Sequence, residues 1–325
     1  MRRPRARPTR MMAVIGPGPR RGQTAVEVPM QAVLEGHYRE DAPYPSVIVN
    51  VTERCNLSCA HCFIYRDANP LSPVRPRVAD EPTDDEMLET LEMLRDRHGI
   101  RTALWMGGEP LLRGPLIERG VKLFPRNTIT TNGTIEVPDL GPNVLYVVSL
   151  DGPEDVNDAI RGRGSYKRVM QNLRRLPEDL SSPVQVQCTV TRRNQDRLEE
   201  LVRELQKTRV GWMSFSFYVP RASDDGPDAW PDNEARVPAV REVMRLRNEY
   251  PGFVRNTRRS LELMLPEHAE RVTAACPARE RVLPLYLDGH VFRTPGCCYG
   301  NDVDCVRCGA WVVFHLAAEL EGHAS

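Results

Sequence analysis

The sequence lacks long apolar runs, an excess of charge of one sign, and the cysteine density of a disulfide-stabilised secreted domain. No run of about 18 apolar residues occurs, so we expect no membrane span and no membrane partner. The chain has 44 basic and 44 acidic residues, and this balance gives no support for a nucleic acid as a partner. The charged fraction of 27% is instead ordinary for a globular enzyme or binding protein.

The N-terminal region lacks the apolar core of a secretory signal. Residues 1–21 are rich in arginine and proline and contain only a short apolar island at 11–15. We therefore predict that residues 1–44 form a disordered tail, part of which could precede a true start at Met11, Met12 or Met30. The same features predict a cytoplasmic location.

Nine cysteines are too few for a disulfide framework in a chain of 325 residues, and their positions are uneven. Three lie between residues 55 and 62 and five between 276 and 308, while Cys188 stands alone on the apolar face of a predicted strand. Clustered cysteines in a cytoplasmic protein favour metal binding over disulfides. We therefore predict two metal sites and assign Cys188 to the core.

Apolar periodicity predicts an alternation of strands and helices. Strands are predicted at 45–52, 102–107, 127–132, 143–150, 184–191 and 212–219, and helices near 84–98, 112–122, 165–175, 195–207 and 234–249. Six such units predict a parallel sheet in a partial (β/α)6 TIM-like barrel over residues 45–250, with its chemistry at the carboxyl ends of the strands. Residues 251–325 are predicted to form a small cysteine-rich extension with a β-hairpin and a helix.

The first predicted strand runs directly into three cysteines, Cys55, Cys59 and Cys62, at C-x3-C-x2-C spacing. Three thiolates on one short loop can ligate three irons of a cubane cluster. The fourth iron is then open to the amino and carboxylate groups of S-adenosylmethionine (SAM). A zinc site formed by the three cysteines and His61 is the alternative.

This loop resembles the signature of the radical SAM superfamily. The resemblance implies a [4Fe–4S] cluster on the three cysteines and reductive cleavage of SAM to a 5′-deoxyadenosyl radical, which abstracts hydrogen from the substrate. It also implies an electron donor such as flavodoxin or ferredoxin. The family has an aromatic residue just before the last cysteine. His61 occupies that position here, and its ring can still stack beside the adenine.

Three later motifs, each at the end of a predicted strand, extend the resemblance. Residues 107–110 resemble the family's GGE motif, which accepts hydrogen bonds from the methionyl ammonium, and residues 130–133 resemble its TNG turn. Residues 149–152 and Arg161 resemble a stretch that binds the ribose and the SAM carboxylate, although the family's histidine is Asn157 here. Ordinary turns and a helix cap are the alternatives. The resemblance assigns SAM binding to Gly107, Gly108, Glu109, Asn132, Ser149, Asp151, Arg161 and His61.

The C-terminal cysteines flank a predicted β-hairpin that turns at Asp288-Gly289. A cysteine, a hairpin and a second cysteine resemble the start of a SPASM or twitch auxiliary domain, and the cysteine count suffices for one cluster. The resemblance implies an auxiliary [4Fe–4S] cluster, with a structural zinc as the alternative. Its implied ligands are Cys276, Cys297, Cys305 and Cys308, with Cys298 as the alternative to Cys297.

The motifs identify cofactor chemistry but say little about the substrate. We favour a small molecule, such as a sugar, a nucleoside or another natural-product intermediate. Peptide maturases often carry a leader-binding domain, and only about 44 residues precede the first predicted strand. A SPASM-type maturase acting on a ribosomally made peptide is the alternative. A metal-binding interaction module without catalysis is the third possibility.

Overall fold

The computed structural model describes residues 30–34, 36, 38–64 and 81–322. Its strands form one sheet in the order β1-β9-β8-β2-β3-β4-β5-β6-β7. The strands are β1 (Gln31–Val33), β2 (Ser46–Asn50), β3 (Thr102–Met106), β4 (Arg126–Thr131), β5 (Val144–Ser149), β6 (Val184–Val190), β7 (Trp212–Phe217), β8 (Val282–Asp288) and β9 (Val291–Arg293).

Helices connect these strands and follow the last ones. They are α1 (Asp84–His98), α2 (Gly114–Gly120), α3 (Glu154–Arg161), α4 (Ser165–Arg174), α5 (Leu198–Leu205), α6 (Asn233–Glu249), α7 (Arg258–Glu262), α8 (Pro266–Ala274), α9 (Ala278–Arg281) and α10 (Trp311–Leu320). Within the described residues, no helix combines the length and apolar composition needed to cross a membrane.

Strands β2 to β7 are six neighbouring parallel strands in chain order, which confirms the predicted partial barrel. The sheet does not close: β7 lies at one end and β1 at the other. Strand β6 alternates buried and half-buried residues, as predicted, with the buried Cys188 on its apolar face. Because the six strands are parallel, their carboxyl ends lie at one edge, where the predicted site residues follow.

Local sequence signals account for α1 as predicted. Thr83 caps its N-terminus, and the Thr83 and Glu86 side chains exchange hydrogen bonds with each other's backbone N–H groups in a capping box. The helix ends at Gly99, which adopts a left-handed conformation with φ of 66°.

The C-terminal region continues the sheet instead of standing apart from it. Strand β8 pairs in parallel with β2, so that Leu283 lies opposite Val47, and β8 then forms the predicted hairpin with β9. Strand β1 pairs in parallel with β9. The sheet therefore crosses the boundary expected at residue 250.

Part of the expected disordered tail is ordered. Gln31–Val33 form β1, and Tyr38 and Tyr44 are buried. A three-residue strand is too short to produce a periodic signal, so β1 could not be predicted from the sequence pattern. Residues 1–29 lie outside the described residues, as do residues 65–80 in the loop between β2 and α1.

Candidate functional site

The three-cysteine loop begins where β2 ends, and the neighbouring strand β3 holds its first half. Gly108 N donates to Thr52 O at 2.8 Å, and Glu109 N donates to Arg54 O at 2.8 Å. The half-buried Cys55 thiol accepts a hydrogen bond from Leu57 N at 3.4 Å. The sheet edge therefore fixes the backbone immediately before the first cysteine.

Gly107 permits this close approach between the two strand ends. Its φ is +136°, and a Cβ atom there would lie 2.5 Å from both Asn50 Oδ1 and Thr52 O. Any side chain would collide with the backbone that leads to Cys55. The glycine is required by packing inside the protein.

Glu109 is fully buried and joins the end of β3 to the end of β4. Its Oε1 accepts from Thr131 Oγ1 at 2.8 Å and from Leu111 N at 3.1 Å, while Oε2 accepts from Asn132 N at 2.8 Å. Burial raises the pKa of this carboxyl, and the hydrogen bonds only partly oppose that shift. The motif residue thus serves as a link between strands in this structure.

Asn132 connects the β4 turn to the three-cysteine loop. Its Nδ2 donates to Asn56 Oδ1 at 2.7 Å and lies 3.9 Å from Cys55 Sγ. Thr134 completes the contact, because Asn56 Nδ2 donates to Thr134 Oγ1 at 2.8 Å. The turn therefore orients the residue that follows Cys55.

Asp151, after β5, anchors the second half of the loop. Its Oδ2 lies 2.7 Å from His61 Nε2 and accepts from Arg161 Nε at 2.6 Å, and its Oδ1 accepts from Thr189 N at 2.9 Å. Burial alone would raise the pKa of Asp151, but Arg161 and His61 outweigh it and hold the pKa well below its usual range. Asp151 is thus an ionised carboxylate in a fully buried position.

Arg161 also acts on the second cysteine. Burial raises the pKa of the Cys59 thiol, and the Arg161 guanidinium opposes that shift. The last residues of α3 hold the loop backbone as well, since Ala60 N donates to Ile160 O at 2.8 Å. Ser149, the remaining predicted site residue, is half-buried at the last position of β5.

The donor chemistry of the loop fits an iron–sulfur cluster. Cys55, Cys59 and Cys62 are half-buried thiols outside any disulfide that follow one strand end, and Cys55 interacts electrostatically with both others. Within the described residues, no group of three or more His, Cys, Asp or Glu side chains converges on a point that could hold a single metal ion. A cubane needs no such convergence, because each thiolate binds a different iron.

All five C-terminal cysteines line one cavity. Its volume is about 430 Å³, which includes the solvent space at its opening. The other lining residues are Tyr38, Thr273, Ala278, Arg279, Tyr299, Val303 and Val313. Burial raises the pKa of Cys297 to about 11 and that of Cys308 to about 12. These groups are therefore thiols until a metal displaces their protons.

An aromatic contact joins the two cysteine regions. Phe63, directly after Cys62, packs against Tyr299, directly after Cys298, with ring centroids 4.9 Å apart. The N-terminal loop and the C-terminal cavity are therefore neighbours in space, although more than 200 residues separate them in sequence.

Sequence reasoning missed the residues that support the predicted ones. Asn157 Oδ1 accepts from Asp151 N at 3.0 Å, and Asn194 Nδ2 donates to Asp151 O at 2.8 Å. Thr131 and Asn56 have the equivalent role beside Glu109 and Asn132. The available signal was the occurrence of small polar residues next to strand ends, which does not distinguish a buried partner from a surface turn.

Comparisons with known proteins agree with this arrangement. The sequence model of the radical SAM superfamily matches residues 49–205. Pre-heme d1 synthase of Dinoroseobacter shibae is 31% identical over 58% of this chain and 47% of its own length. Mycofactocin maturase MftC of Mycolicibacterium smegmatis is 29% identical over 56% of this chain and 46% of its own. The chain thus spans about half the length of these curated relatives.

Solved structures share the fold at low sequence identity. Native anSMEcpe, solved with AdoMet and the Cp18Cys peptide, superposes with a TM-score of 0.58 at 16% identity, covering 83% of this chain and 77% of that one. The segment matched by the radical SAM sequence model begins within β2 and ends at the last residue of α5. It contains the three-cysteine loop and all three supporting motifs. Residues 49–205 therefore form a radical SAM domain, and members of that superfamily are enzymes that use a [4Fe–4S] cluster and SAM.

Proposed function

We propose that this chain uses SAM to begin radical chemistry on a peptide substrate. The observation that carries the proposal is the position of the three-cysteine loop, which follows β2 and is held by residues from the ends of β3, β4 and β5. Cys55, Cys59 and Cys62 would hold the cluster, which would supply the electron for reductive cleavage of bound SAM.

The surrounding residues divide into ligands and supports. Cys55, Cys59 and Cys62 bind iron, and the His61 ring lies beside the adenine with its Nε2 held by Asp151. Asp151 and Glu109 have their carboxylate oxygens engaged by protein donors, so both act mainly by positioning. The backbone at Gly108 and the side chains of Asn132, Ser149 and Arg161 complete the proposed SAM site.

The C-terminal cavity holds the proposed auxiliary [4Fe–4S] cluster. Its donor set fits, because the described residues that line it include five thiols and no carboxylate, and Arg279 Nη2 lies 3.9 Å from Cys305 Sγ. Cys276, Cys297, Cys305 and Cys308 are the proposed ligands. Cys298 remains the alternative to Cys297, since both line the same cavity.

The comparisons favour a peptide substrate over the small molecule that the sequence favoured. One relative is named a maturase, and one solved structure with this fold contains a bound peptide. The relative that is 31% identical is named a synthase of pre-heme d1. A small molecule is therefore the second candidate, and experiment can separate the two.

The SAM-cleavage proposal is tested by measuring 5′-deoxyadenosine. Protein reconstituted with iron and sulfide under anaerobic conditions is incubated with SAM and dithionite. We expect product from the unsubstituted chain and from Cys188→Ala, a core cysteine outside both clusters, and none from Cys59→Ala. Equal amounts of 5′-deoxyadenosine from Cys188→Ala and Cys59→Ala would show that the three-cysteine loop is not needed for SAM cleavage.

The substrate class is tested by deuterium transfer. Cells of the source organism are grown in deuterated medium, and their extract is divided into peptides and small metabolites. Each fraction is incubated with active protein and SAM, and deuterium in 5′-deoxyadenosine is measured by mass spectrometry. Transfer from the peptide fraction supports the proposal, and transfer from the metabolite fraction alone favours the second candidate.

A further inference from the structure

Arg236, in the first turns of α6, is a buried guanidinium beside the C-terminal cysteines. Its exposed fraction is 2%. Its Nη1 donates to Arg307 O and to Cys308 O, both at 3.0 Å, and its Nη2 donates to Met264 O at 3.3 Å. All three acceptors are neutral carbonyls, so the positive charge is solvated but not balanced.

No carboxylate compensates this charge in the described part of the chain. None of the ion pairs found there includes Arg236, and its Nε has no hydrogen-bond partner among those residues. Arg161, the comparable buried arginine at the N-terminal site, bonds directly to Asp151. Buried charges are normally paired with an opposite charge, so we expect a negatively charged group close to Arg236.

The cysteine cavity offers that anion once a metal is bound. Among the described residues no Asp or Glu lines it, and Cys308 both lines it and belongs to the backbone that Arg236 holds. Four cysteine thiolates around a [4Fe–4S] core give a net negative charge, which becomes one unit more negative on reduction. A nearby fixed cation therefore stabilises the reduced cluster more than the oxidised one.

We propose that Arg236 is the counter-charge and positioning residue of the C-terminal cluster, holding the Cys308 backbone in place and raising the reduction potential of the cluster. The inference rests on the auxiliary cluster proposed above. It assigns to α6, which follows the last strand of the barrel, a direct influence on the electron affinity of the second metal site.

Two substitutions separate charge from hydrogen bonding. Arg236→Gln keeps amide donors for the carbonyls but removes the charge, whereas Arg236→Lys keeps the charge with fewer donors in a different geometry. Arg245→Gln is the matched control: it lies on the same helix, makes the same change in net charge, and is exposed and paired with Glu199, Glu242 and Glu249.

The measurement is an EPR-monitored redox titration of the full chain. It is made in a background variant in which only the C-terminal cluster can form and give an EPR signal. That background carries Cys55→Ala, Cys59→Ala and Cys62→Ala. We expect a more negative midpoint potential for Arg236→Gln, and a potential near that of the background protein for Arg236→Lys and Arg245→Gln. A potential in Arg236→Gln equal to that of the control overturns the proposal, as does an equal shift in Arg236→Lys and Arg236→Gln.

Loss of the cluster is also informative. If Arg236→Gln fails to retain iron while Arg236→Lys retains it, the requirement for charge is supported. If neither variant retains iron, Arg236 is only a structural residue and the proposal is overturned. If the background protein itself binds no second cluster, or binds zinc, the auxiliary cluster is refuted and the inference about Arg236 with it. Iron and zinc analysis of the background protein distinguishes this last result from the others.

Discussion

The carboxylate of Asp151 connects three parts of the chain through His61, Arg161 and Thr189 N. Replacing it with asparagine leaves Arg161 buried without its counter-charge. Loss of one member of a buried ion pair typically costs about 3–5 kcal/mol. We predict that Asp151→Asn lowers the free energy of unfolding of the metal-free protein by an amount in this range, measured by urea denaturation.

The control and the pH dependence make this prediction specific. Asp155→Asn, at an exposed position, should change stability by no more than about 0.5 kcal/mol. The folded-state pKa of Asp151 is depressed, so its stabilisation is present above the ordinary aspartate pKa of about 3.9 and is lost as the pH falls further. The difference between unsubstituted and Asp151→Asn protein should therefore shrink below that pH. A difference that grows on acidification contradicts the assignment.

Substitutions at His61 test whether its imidazole ring stacks on the adenine of SAM in place of the family's aromatic residue. If its ring stacks on the adenine, His61→Ala should raise the Kd for SAM by roughly 5- to 150-fold, the equivalent of about 1–3 kcal/mol, and His61→Phe should largely restore it. Calorimetric titration of SAM into reconstituted protein measures both. His290→Ala, at an exposed histidine in the β8–β9 turn, is the control. Equal weakening in Ala and Phe variants would mean that only the bond to Asp151 matters.

At the scale of single residues, the sequence predicted which residues lie near one another but not which hydrogen bonds they form. The cysteines, Glu109, Asn132, Asp151 and Arg161 follow adjacent strand ends, as the motifs indicated. Hydrogen-bond partners were beyond prediction because they depend on side-chain direction. The carboxylates expected to face SAM accept bonds from protein donors such as Thr131 and Thr189.

At the scale of elements, the junction between β2 and β3 leaves no room for a side chain at Gly107. A methyl group at Gly107 would lie 2.5 Å from Thr52 O, and the residue's φ of +136° disfavours any side chain. We predict that Gly107→Ala costs about 1–3 kcal/mol of stability and lowers iron retention by the three-cysteine loop, measured by thermal unfolding and iron analysis.

Gly114→Ala supplies the comparison for this prediction. Gly114 begins α2 with helical dihedral angles, and a Cβ there meets no atom within 4 Å. Alanine at Gly114 should cost less stability than alanine at Gly107, because only the following Pro115 disfavours a side chain there. Similar losses in both variants would show that Gly107 has no special packing role.

Elements with strong periodicity were predicted well, and short ones were missed. The six barrel strands and α1 fall within two residues of their predicted bounds. Helices α3, α7, α8 and α9 were not predicted: they have four to nine residues, too few for a clear apolar repeat. Tertiary packing against the sheet stabilises such helices more than their local sequence does.

At the scale of the whole molecule, the sheet joins regions that the sequence suggested were separate. Strand β8 covers one edge of β2, where Val47 and Leu283 are both fully buried. We predict that a chain ending at residue 250 will not unfold cooperatively on heating, because β2 becomes an edge strand and its apolar neighbours are lost. A chain ending at Gly322 is the control. Melting is monitored by circular dichroism. Cooperative melting of the shorter chain would show that residues 1–250 fold without the C-terminal region, and would support a domain boundary at residue 250.

The long-range pairing of β8 with β2 and of β1 with β9 could not be read from local patterns. Each pairing joins segments more than 200 residues apart, and strand sequence alone does not specify a distant partner. The cysteine spacing, by contrast, is local and carries its chemistry directly. This difference explains why the cofactor was predictable from local sequence while these two strand pairings were not.

We propose that three thiolates after the end of β2 leave one iron of a [4Fe–4S] cluster free for SAM. Mössbauer spectroscopy tests it most directly, using ⁵⁷Fe-reconstituted protein in which the C-terminal cysteines are replaced by alanine. We predict that adding SAM changes the isomer shift of one iron of the four and leaves the other three unchanged. A spectrum identical with and without SAM, or a loop that retains zinc in place of iron, would contradict the account.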